Sequence, residues 1–264
     1  MMARAMSSEG TQVRVNAVIQ ARTGSTRLPG KVLRPLGGRP VLDRVLTAAQ
    51  NAPGVDQVLV ATSTEAADDP VADLAARLGA GVVRGPEDDV LARFVLAARE
   101  YPCDAVVRLT ADCPMLDPEL VGLVVAAWRQ APEHDYVATT LVRTLPRGLD
   151  VELARADALR ALDETATGYD RVHVTSGLYG DPERFRCMGL VVSPAADDLR
   201  VTLDTSEDAE LLDGLVDALA ERSAGGTSIG TERTGWRELV AVLRARPDLV
   251  ARNAGVRQKS LDAG

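Results

Sequence analysis

Short apolar segments alternate with helical segments along the first half of the chain, and this alternation constrains the fold more than any other feature. Apolar strands rich in β-branched residues are expected at residues 13–20, 57–62, 81–84 and 105–110. The helices that follow them are expected at residues 40–50, 71–78, 88–100 and 118–128. Because parallel strands need a crossover connection of this kind, the pattern predicts an α/β fold with a doubly wound, mostly parallel sheet.

The spacing changes after about residue 135. Further strands are expected at residues 136–140, 149–153, 186–192 and 201–203. Further helices are expected at residues 156–164, 170–179 and 207–221, and the stretch at 223–230 is a candidate linker. The second half is interpreted as an elaboration of the same sheet, which predicts one domain over residues 13–264 after a disordered tail at residues 1–12.

The composition excludes several classes of protein. The 264 residues carry 30 Lys and Arg against 38 Asp and Glu, and the net charge of −8 argues against a nucleic-acid partner or an anionic membrane. No apolar run approaches the ~20 residues of a membrane span, and the first twelve residues lack the apolar segment of a signal peptide. Three cysteines without a CxxC pair predict neither a disulfide framework nor a zinc site. A soluble cytoplasmic protein is expected.

A basic loop with two glycines, RTGSTRLPGK, follows the first expected strand at residues 22–31. It carries Arg22, Arg27 and Lys31, and Lys31 is one of only two lysines beside 28 arginines, which suggests that this position needs a compact ammonium. Glycine N–H groups and cations at such a strand end bind phosphate. The spacing matches neither a Walker A loop nor GxGxxG. An anion-binding loop is favoured, and a solvated basic turn is the alternative.

Two aspartates follow other expected strand ends, Asp112 after residues 105–110 and Asp204 after residues 201–203. Two carboxylates facing a cationic loop at one edge of the sheet would hold a single Mg²⁺, which takes one or two carboxylates together with substrate phosphates. The alternative is that each caps a loop or a helix, as the acidic stretch after Asp204 also allows.

A further polar cluster comes from the segments PRGLDVE and DRVHV. Asp150 and Glu152 alternate on one face of an expected strand, so both could point into a cleft. An exposed edge strand with a salt bridge to Arg147 is the alternative. His173 is one of two histidines and is either functional or structural, whereas His134 is assigned to a loop.

The segment IQARTGSTRLPGKVL resembles the signature loop of the cytidylyltransferases that make CMP-sugars, a family that includes the CMP-Kdo and acylneuraminate cytidylyltransferases. The resemblance is most specific to the spore coat polysaccharide biosynthesis protein F-like (SpsF-like) branch. Companion segments follow in the order of that branch: RGPEDDVLARF, VVRLTADCPMLDP, LPRGLDVE, YDRVHVT, LRVTLDTSEDAEL and VRQKSL. The resemblance spans Val15 to Leu261 and implies a single domain of the nucleotidyltransferase type, Rossmann-like and GT-A-like.

This resemblance implies Mg²⁺-dependent transfer of CMP from CTP to a small anionic acceptor, with release of pyrophosphate, by a homodimer. The residues implied to be catalytic are Arg22, Lys31, Asp112 and Asp204, and the two aspartates are the implied metal ligands. The residues implied to bind CTP are Ala21, Arg22, Gly24, Ser25, Thr26, Arg27 and Lys31, with Thr62, Arg84 and Asp89 on the base and ribose side. The residues implied to face the acceptor are Arg108, Arg147, Asp150, Glu152, Arg171 and His173.

Several alternatives stay open at this point. The acceptor class stays open between a sugar acid, a phosphorylated sugar and a phosphonate. Val172, Ser176 and Gly177 stand where related helices are expected to carry Glu, Pro and an aromatic residue, so the resemblance does not fix the acceptor. A nucleotide-sugar glycosyltransferase of the same fold would normally carry Asp-x-Asp, whereas Asp112 precedes Cys113 and Pro114. A nucleotidyltransferase that uses another nucleoside triphosphate, and a nucleotide-binding sensor, are the remaining possibilities.

Overall fold

The computed structural model describes residues 13–224 and 235–257. The predicted tail at residues 1–12, residues 225–230 of the expected linker and Lys259 lie outside the described residues. The strands in the described ranges are β1 (Val15–Gln20), β2 (Pro35–Leu36), β3 (Arg39–Pro40), β4 (Gln57–Ser63), β5 (Gly81–Gly85), β6 (Ala105–Thr110), β7 (Tyr136–Ala138), β8 (Glu152–Arg155) and β9 (Cys187–Gly189).

The helices surround this sheet and complete the alternation along the chain. In the same described ranges they are α1 (Val41–Gln50), α2 (Asp69–Arg77), α3 (Val90–Glu100), α4 (Pro118–Gln130), α5 (Ala156–Asp163), α6 (Tyr169–His173), α7 (Ser176–Tyr179), α8 (Ser206–Ala224), α9 (Trp236–Ala245) and α10 (Pro247–Asn253). None of these helices has the length and apolar content needed to cross a membrane.

Seven of the described strands form one sheet in the order β5-β4-β1-β6-β8-β7-β9, and β2 pairs with β3 in a separate hairpin. β1 is parallel to both β4 and β6, β4 is parallel to β5, and β7 is parallel to β9. β8 runs antiparallel to its neighbours β6 and β7. The predicted α/β fold with a mostly parallel sheet is therefore confirmed, with a reversed strand in its second half.

Both faces of the sheet are covered by helices, which explains why β1 is buried along nearly its whole length. Ala17 and Ile19 belong to a core cluster with residues of α1, α2, α4, α8, α9 and α10. Val18, which points to the other face, packs in a second cluster with residues of α3, α5 and α7. The two faces are thus closed, and the carboxyl-end edge of β1, β4 and β6 is left to carry polar loops.

The second half differs from its prediction in several places. The strand expected at 149–153 is found at Glu152–Arg155, the strand expected at 186–192 is limited to Cys187–Gly189, and α8 extends through residues 223–224 of the expected linker. The segment 201–203 is extended but is not a strand of the described sheet: Val201 N donates to Arg147 O (2.7 Å) and Leu203 N to Asp112 O (2.8 Å), so its backbone pairs with loops. The expected helix at 170–179 is divided into α6 and α7, because Val174 between them has a positive φ of 54°. That backbone conformation cannot continue a right-handed helix.

Candidate active site

The carboxyl ends of β1 and β6 lie side by side and bring the basic loop next to Asp112. The two strands are parallel neighbours, with Gln20 in register with Thr110. The chain continues beyond each strand through hydrogen bonds of Ala21 N to Ala61 O (3.1 Å) and Ala111 N to Gln20 O (3.0 Å). Because these ends are fixed within the core of the sheet, the loops that leave them have defined starting points.

The basic loop is anchored at its beginning and at its end. Near its start, the backbone N–H and the hydroxyl of Thr23 both donate to Asp68 Oδ1, at 2.7 and 2.8 Å. At its end, Gly30 adopts a left-handed φ of 69°, which glycine tolerates, and starts a short 3₁₀ turn over Lys31–Leu33. Burial alone would raise the pKa of Asp68, but the donors Ser63 and Thr23 hold it below its ordinary value, so Asp68 is an ionised anchor.

Lys31, Asp112 and Asp204 converge on one point. The Lys31 Nζ donates to Asp112 Oδ2 and to Asp204 Oδ1, at 2.7 Å each. Asp204 reaches this point because the carbonyl oxygen of Asp112 accepts hydrogen bonds from Leu203 N (2.8 Å) and from the Thr202 hydroxyl (3.2 Å). The extended segment 201–203 therefore delivers Asp204 to the end of β6, as the prediction of neighbouring carboxylates required.

The charge around Asp204 is balanced by three cations. Besides Lys31, its carboxylate contacts Arg27 at 3.2 Å and Arg200 at 2.8 Å. Burial opposes ionisation, yet Lys31 above all, then Arg200 and Arg27, holds the pKa of Asp204 below its ordinary value. Burial likewise disfavours the Lys31 ammonium, but the carboxylates of Asp112 and Asp204 outweigh it and raise the pKa of Lys31. Lys31 and Asp204 are therefore both charged near neutral pH.

Two adjoining clefts meet at these carboxylates. The first has a volume of about 310 Å³ and is lined by the basic loop, and the second has a volume of about 560 Å³ and is lined by the 140–152 segment, α7 and the end of β6. The residues shared by both linings are Arg108, Thr110, Asp112, His173 and Asp204. A group bound in one cleft therefore lies next to a group bound in the other, with the carboxylate pair between them.

The floor of the second cleft is a buried polar network around Glu152. Its carboxylate accepts hydrogen bonds from Arg108, from the Tyr136 hydroxyl (2.7 Å) and from the Thr175 hydroxyl (2.5 Å). Arg108 also donates to Gln20 Oε1 (3.2 Å), which links the network to β1. With every carboxylate oxygen of Glu152 satisfied, this network is a rigid support and leaves no free charge for a ligand.

Above this floor, Arg147 and His173 present groups to the second cleft. Arg143 is neutralised by Asp150 at 2.5 Å, whereas Arg147 makes no ion pair with a carboxylate among the residues that the structure describes. Burial and then the neighbouring Arg143 lower the pKa of Arg147. The His173 ring stacks on Tyr169 with centroids 4.1 Å apart, and burial together with Arg108 lowers its pKa. The cleft thus offers a cation and a neutral imidazole.

Most of the residues named from the sequence line one of the two clefts. Those lining the first are Ala21, Arg22, Gly24, Ser25, Thr26, Arg27, Lys31, Arg108, Asp112, His173 and Asp204. Those lining the second include Arg108, Arg147, Asp150, Glu152 and His173. Their roles in binding and catalysis stay predictions.

Four residues named from the sequence, Thr62, Arg84, Asp89 and Arg171, line neither of the two clefts, and their roles in ligand binding stay predictions. Thr62 is fully buried in β4. Arg84 binds Ser63 O (2.8 Å), Glu65 O (2.9 Å) and Asp69 (2.7 Å). Asp89 caps α3 by accepting from Ala92 N (2.9 Å) and pairs with Arg171, which also pairs with Asp163 (2.7 Å). Arg84, Asp89 and Arg171 thus have partners within the fold. The buried Thr62 hydroxyl has no hydrogen-bond partner among the described residues.

Sequence reasoning missed several residues that support the site. Arg93 is 2% exposed, lines the first cleft and donates to Pro86 O and Glu87 O, while its buried Nε has no partner. Arg200 orients Asp204 and also binds the fully buried Asp208 at 2.8 Å. Among 28 arginines neither position carried a signal, and Asp208 resembled one more acid of a helical first turn.

The donor set fits a hard divalent cation. In the described ranges no three or more His, Cys, Asp or Glu side chains form a group that could hold a metal by themselves. Asp112 and Asp204 nevertheless aim one oxygen each at a common point, and Mg²⁺ is usually held by one or two carboxylates together with water and phosphate oxygens. The pair therefore suits a metal that arrives with a phosphate ligand.

The chain is similar to several known proteins over most of its length. The family model described as cytidylyltransferase matches residues 16–221. The spore coat polysaccharide biosynthesis protein SpsF of Bacillus subtilis is 33% identical over 240 residues, which cover 88% of this chain and 94% of that protein. The 3-deoxy-manno-octulosonate cytidylyltransferase of Anaeromyxobacter dehalogenans is 35% identical over 151 residues, 56% of this chain and 58% of that protein. A solved cytidylyltransferase from Leptospira borgpetersenii superposes with a TM-score of 0.83 at 29% identity, over 93% of this chain and 100% of that one.

Proposed function

The chain belongs to the cytidylyltransferase family and is a CTP-dependent nucleotidyltransferase, and from this premise we propose that it transfers CMP to a small anionic acceptor in a Mg²⁺-dependent reaction that releases pyrophosphate. The observation that carries the proposal is the pair of adjoining clefts that share Asp112 and Asp204. A nucleotide and an acceptor each need a cleft, and the charge that develops between them needs neutralisation.

CTP would lie in the first cleft with its triphosphate against the basic loop. Gly24, Ser25 and Thr26 line this cleft, and Arg22, Arg27 and Lys31 offer cations to the phosphate oxygens. Attack on the α-phosphorus needs little covalent chemistry from the protein, so positioning and charge neutralisation are the main contributions of these residues.

Asp112 and Asp204 would hold the metal. When bound there, Mg²⁺ would polarise a phosphoryl oxygen and neutralise charge on the departing pyrophosphate. Arg200 keeps the Asp204 carboxylate in one orientation, and the backbone carbonyl of Asp112 is fixed by Leu203 N. Rigid support of this kind orients the groups that bind a metal and thereby affects their affinity for it.

The acceptor would lie in the second cleft, with its anionic group on Arg147. The acceptor classes that we propose are a sugar acid, a phosphorylated sugar and a phosphonate, since a guanidinium binds a carboxylate or a phosphate bidentately. A phosphate or phosphonate oxygen is already ionised at pH 7 and needs no base. For a sugar hydroxyl, the neutral His173 at the junction of the clefts is positioned to accept its proton.

Thermal unfolding with CTP, UTP, GTP and ATP, each with and without Mg²⁺, tests the donor before any acceptor is known. A ligand at 100 times its Kd adds about 2.7 kcal/mol, which in a protein of this size raises Tm by about 5–10 °C. We expect a shift that is selective for CTP and larger with Mg²⁺. Equal shifts for all four nucleotides would contradict the donor assignment and favour the glycosyltransferase or sensor alternatives.

The same preparation then identifies the acceptor class. Pyrophosphate release is measured with CTP and Mg²⁺ against sugar acids, sugar phosphates and phosphonates, and we expect release with an acceptor from one of these classes only. Transfer from a ready-made nucleotide sugar without pyrophosphate would contradict the proposal. We also propose that the protein acts as a homodimer, which light scattering of the purified protein checks.

A further inference from the structure

The position between the two site carboxylates is taken by a side chain of the protein itself. The Lys31 Nζ donates to Asp112 Oδ2 and Asp204 Oδ1, at 2.7 Å each, and the side chains of Lys31 and Asp204 are only 11% and 13% exposed. The ammonium therefore sits where the two oxygens converge, which is also where a divalent cation would need to bind both of them.

We propose that Lys31 closes the metal position: its ammonium holds Asp112 and Asp204 until nucleotide phosphates draw it into the first cleft, so a divalent cation enters with the nucleotide and not before it. The inference rests on the proposed function, because it takes the aspartates as metal ligands and Lys31 as a phosphate-binding group. It adds an order of binding that the proposed function does not contain.

The oxygens of Asp204 leave no second position for a metal shared with Asp112 while the ammonium is present. On Asp204, Oδ1 is shared by Lys31 and Arg27 (3.2 Å), and Oδ2 accepts from Arg200 (2.8 Å). A divalent cation that used Oδ1 would lie directly beside the ammonium, and like charges at such short range repel strongly in a site with little solvent. The ammonium and the metal therefore exclude each other.

Lys31 is the partner that can move. The Asp112 backbone is held by Leu203 N, and the Asp204 carboxylate is held by Arg200, which is fixed in turn by the fully buried Asp208. The backbone of Lys31 is fixed by the 3₁₀ turn after Gly30, but its ammonium is the end of a flexible four-carbon chain. Lys31 lines the first cleft, so bound phosphates compete for it without any movement of the backbone.

Binding of Mn²⁺ in the absence of any nucleotide tests this directly, with the loss of the free-ion electron paramagnetic resonance signal as the readout. Mn²⁺ prefers the same oxygen ligands as Mg²⁺. We expect Lys31→Met to bind one Mn²⁺ at least tenfold more tightly than the unmodified protein, and Lys31→Met combined with Asp112→Asn to lose that binding. Arg27→Met is the matched control, since it removes a cation from Asp204 but leaves the ammonium between the carboxylates; it should bind no better than the unmodified protein.

Thermal unfolding supplies a second readout. Removing the ammonium leaves two carboxylates facing each other, so Mn²⁺ should raise the Tm of Lys31→Met by about 5 °C and leave that of the unmodified protein unchanged. Lys31→Gln, which keeps a polar side chain, gives the same comparison if Lys31→Met does not fold.

Two outcomes would overturn the inference: tight binding of Mn²⁺ by the unmodified protein without nucleotide, or no binding by either Lys31 variant. Equal gains from Arg27→Met and Lys31→Met would also overturn it, because the effect would then come from net charge alone. Failure of the proposed function is detected by a separate measurement on the unmodified protein. It would appear as pyrophosphate release that requires no metal, or as release that requires no CTP.

Discussion

One ammonium and two carboxylates meet where the two clefts join, so at the scale of single residues we expect Lys31 to have a large effect on activity. Replacing Lys31 with Ala removes a charge-assisted contact to phosphate. We expect kcat/KM to fall roughly 30- to 1000-fold, or about 2–4 kcal/mol of transition-state stabilisation. Steady-state measurement of pyrophosphate release gives this ratio.

Arg34 is a matched control for the loss of a cation near Lys31. Its guanidinium pairs with Asp213 at 2.6 Å on a partly exposed surface and lines neither cleft. Surface substitutions of this kind usually change stability by less than 0.5 kcal/mol, so Arg34→Ala should keep kcat/KM within about twofold. Full activity in Lys31→Ala would contradict the phosphate contact.

His173 distinguishes the two kinds of acceptor chemistry. Burial and the nearby Arg108 lower its pKa from the ordinary 6.5, so its imidazole stays neutral to a lower pH than an exposed histidine. With a hydroxyl acceptor, kcat/KM should rise with pH to a plateau, with the midpoint of the rise below pH 6.5, and His173→Gln should remove that rise and lower the rate about 10²–10⁴-fold. With a phosphate or phosphonate acceptor, His173→Gln should leave the shape of the profile unchanged. An unchanged hydroxyl profile in His173→Gln would contradict the role as base.

The sequence predicted the meeting of Lys31, Asp112 and Asp204 because each follows a polar turn at one edge of the sheet. It could not predict Arg93 or Arg200, since a buried arginine has the same sequence signal as an exposed one and arginine is abundant here. The family resemblance placed Thr62 and Asp89 on the base and ribose side of CTP, whereas in the structure Thr62 is buried in β4 and Asp89 caps α3. Sequence position does not encode side-chain directions and capping contacts of this kind.

At the scale of elements, the basic loop depends on Asp68, which lies outside it. Asp68 is 2% exposed and accepts from the N–H and the hydroxyl of Thr23 and from the Ser63 hydroxyl (2.5 Å). Asp68→Asn replaces charge-assisted hydrogen bonds by weaker ones and leaves a donor facing a donor, which costs about 1–3 kcal/mol. We expect KM for CTP to rise at least fivefold, with KM for the acceptor unchanged, because only the loop loses its anchor.

The adjacent Asp69 provides the control for this change. Its side chain is 55% exposed and pairs with Arg84, so Asp69→Asn should alter neither KM nor Tm measurably. Equal effects of the two substitutions on both Michaelis constants would contradict a specific anchoring of the loop by Asp68.

Gly148 allows the 143–150 segment to pass against residues 201–202. Its φ is 106°, and a Cβ at this position would lie 2.5 Å from Thr202 N and 2.6 Å from the carbonyl carbon of Val201. Gly148→Ala combines backbone strain with a steric clash against backbone atoms, which cannot rotate away as a side chain can. We therefore expect a loss of about 2–4 kcal/mol in the free energy of unfolding. Urea denaturation measures it. Gly255→Ala, where a Cβ meets nothing within 4 Å, should change stability by less than about 0.5 kcal/mol.

The elements themselves were predicted unevenly, for physical reasons. β1, β4 and β6 are buried along most of their length, whereas β5 is a partly buried edge strand, and the β-branched composition of all four marked them to within two residues. The extended segment 201–203 has the same composition, but whether it pairs with a strand or with loops depends on distant parts of the chain. The break at Val174 had no signal at all, since a β-branched residue rarely takes a positive φ.

At the scale of the whole molecule, the buried ionisable groups predict how stability depends on pH. Donors around Asp68, Asp204 and Asp208 outweigh their burial and hold their pKa values below the ordinary 3.8. A carboxyl whose pKa is lower in the folded state contributes stability that is complete above the ordinary value and is lost as the pH falls below it. Tm should therefore decrease as the pH falls below about 4, and this decrease should be less steep in Asp208→Asn.

The cysteines set the alkaline side of the same profile. Burial raises the pKa of Cys103 from 9.0 to about 11 and raises that of Cys113 well above 9.0. In the unfolded chain these thiols ionise near pH 9, so their contribution is complete below that pH and is lost as the pH rises above it. Tm measured from pH 3 to 10 should thus be level between about pH 5 and 8 and fall on both sides. Replacing Cys103 and Cys113 with Ala should make Tm fall less steeply on the alkaline side only. An unchanged alkaline slope in that variant would contradict the assignment to these two thiols.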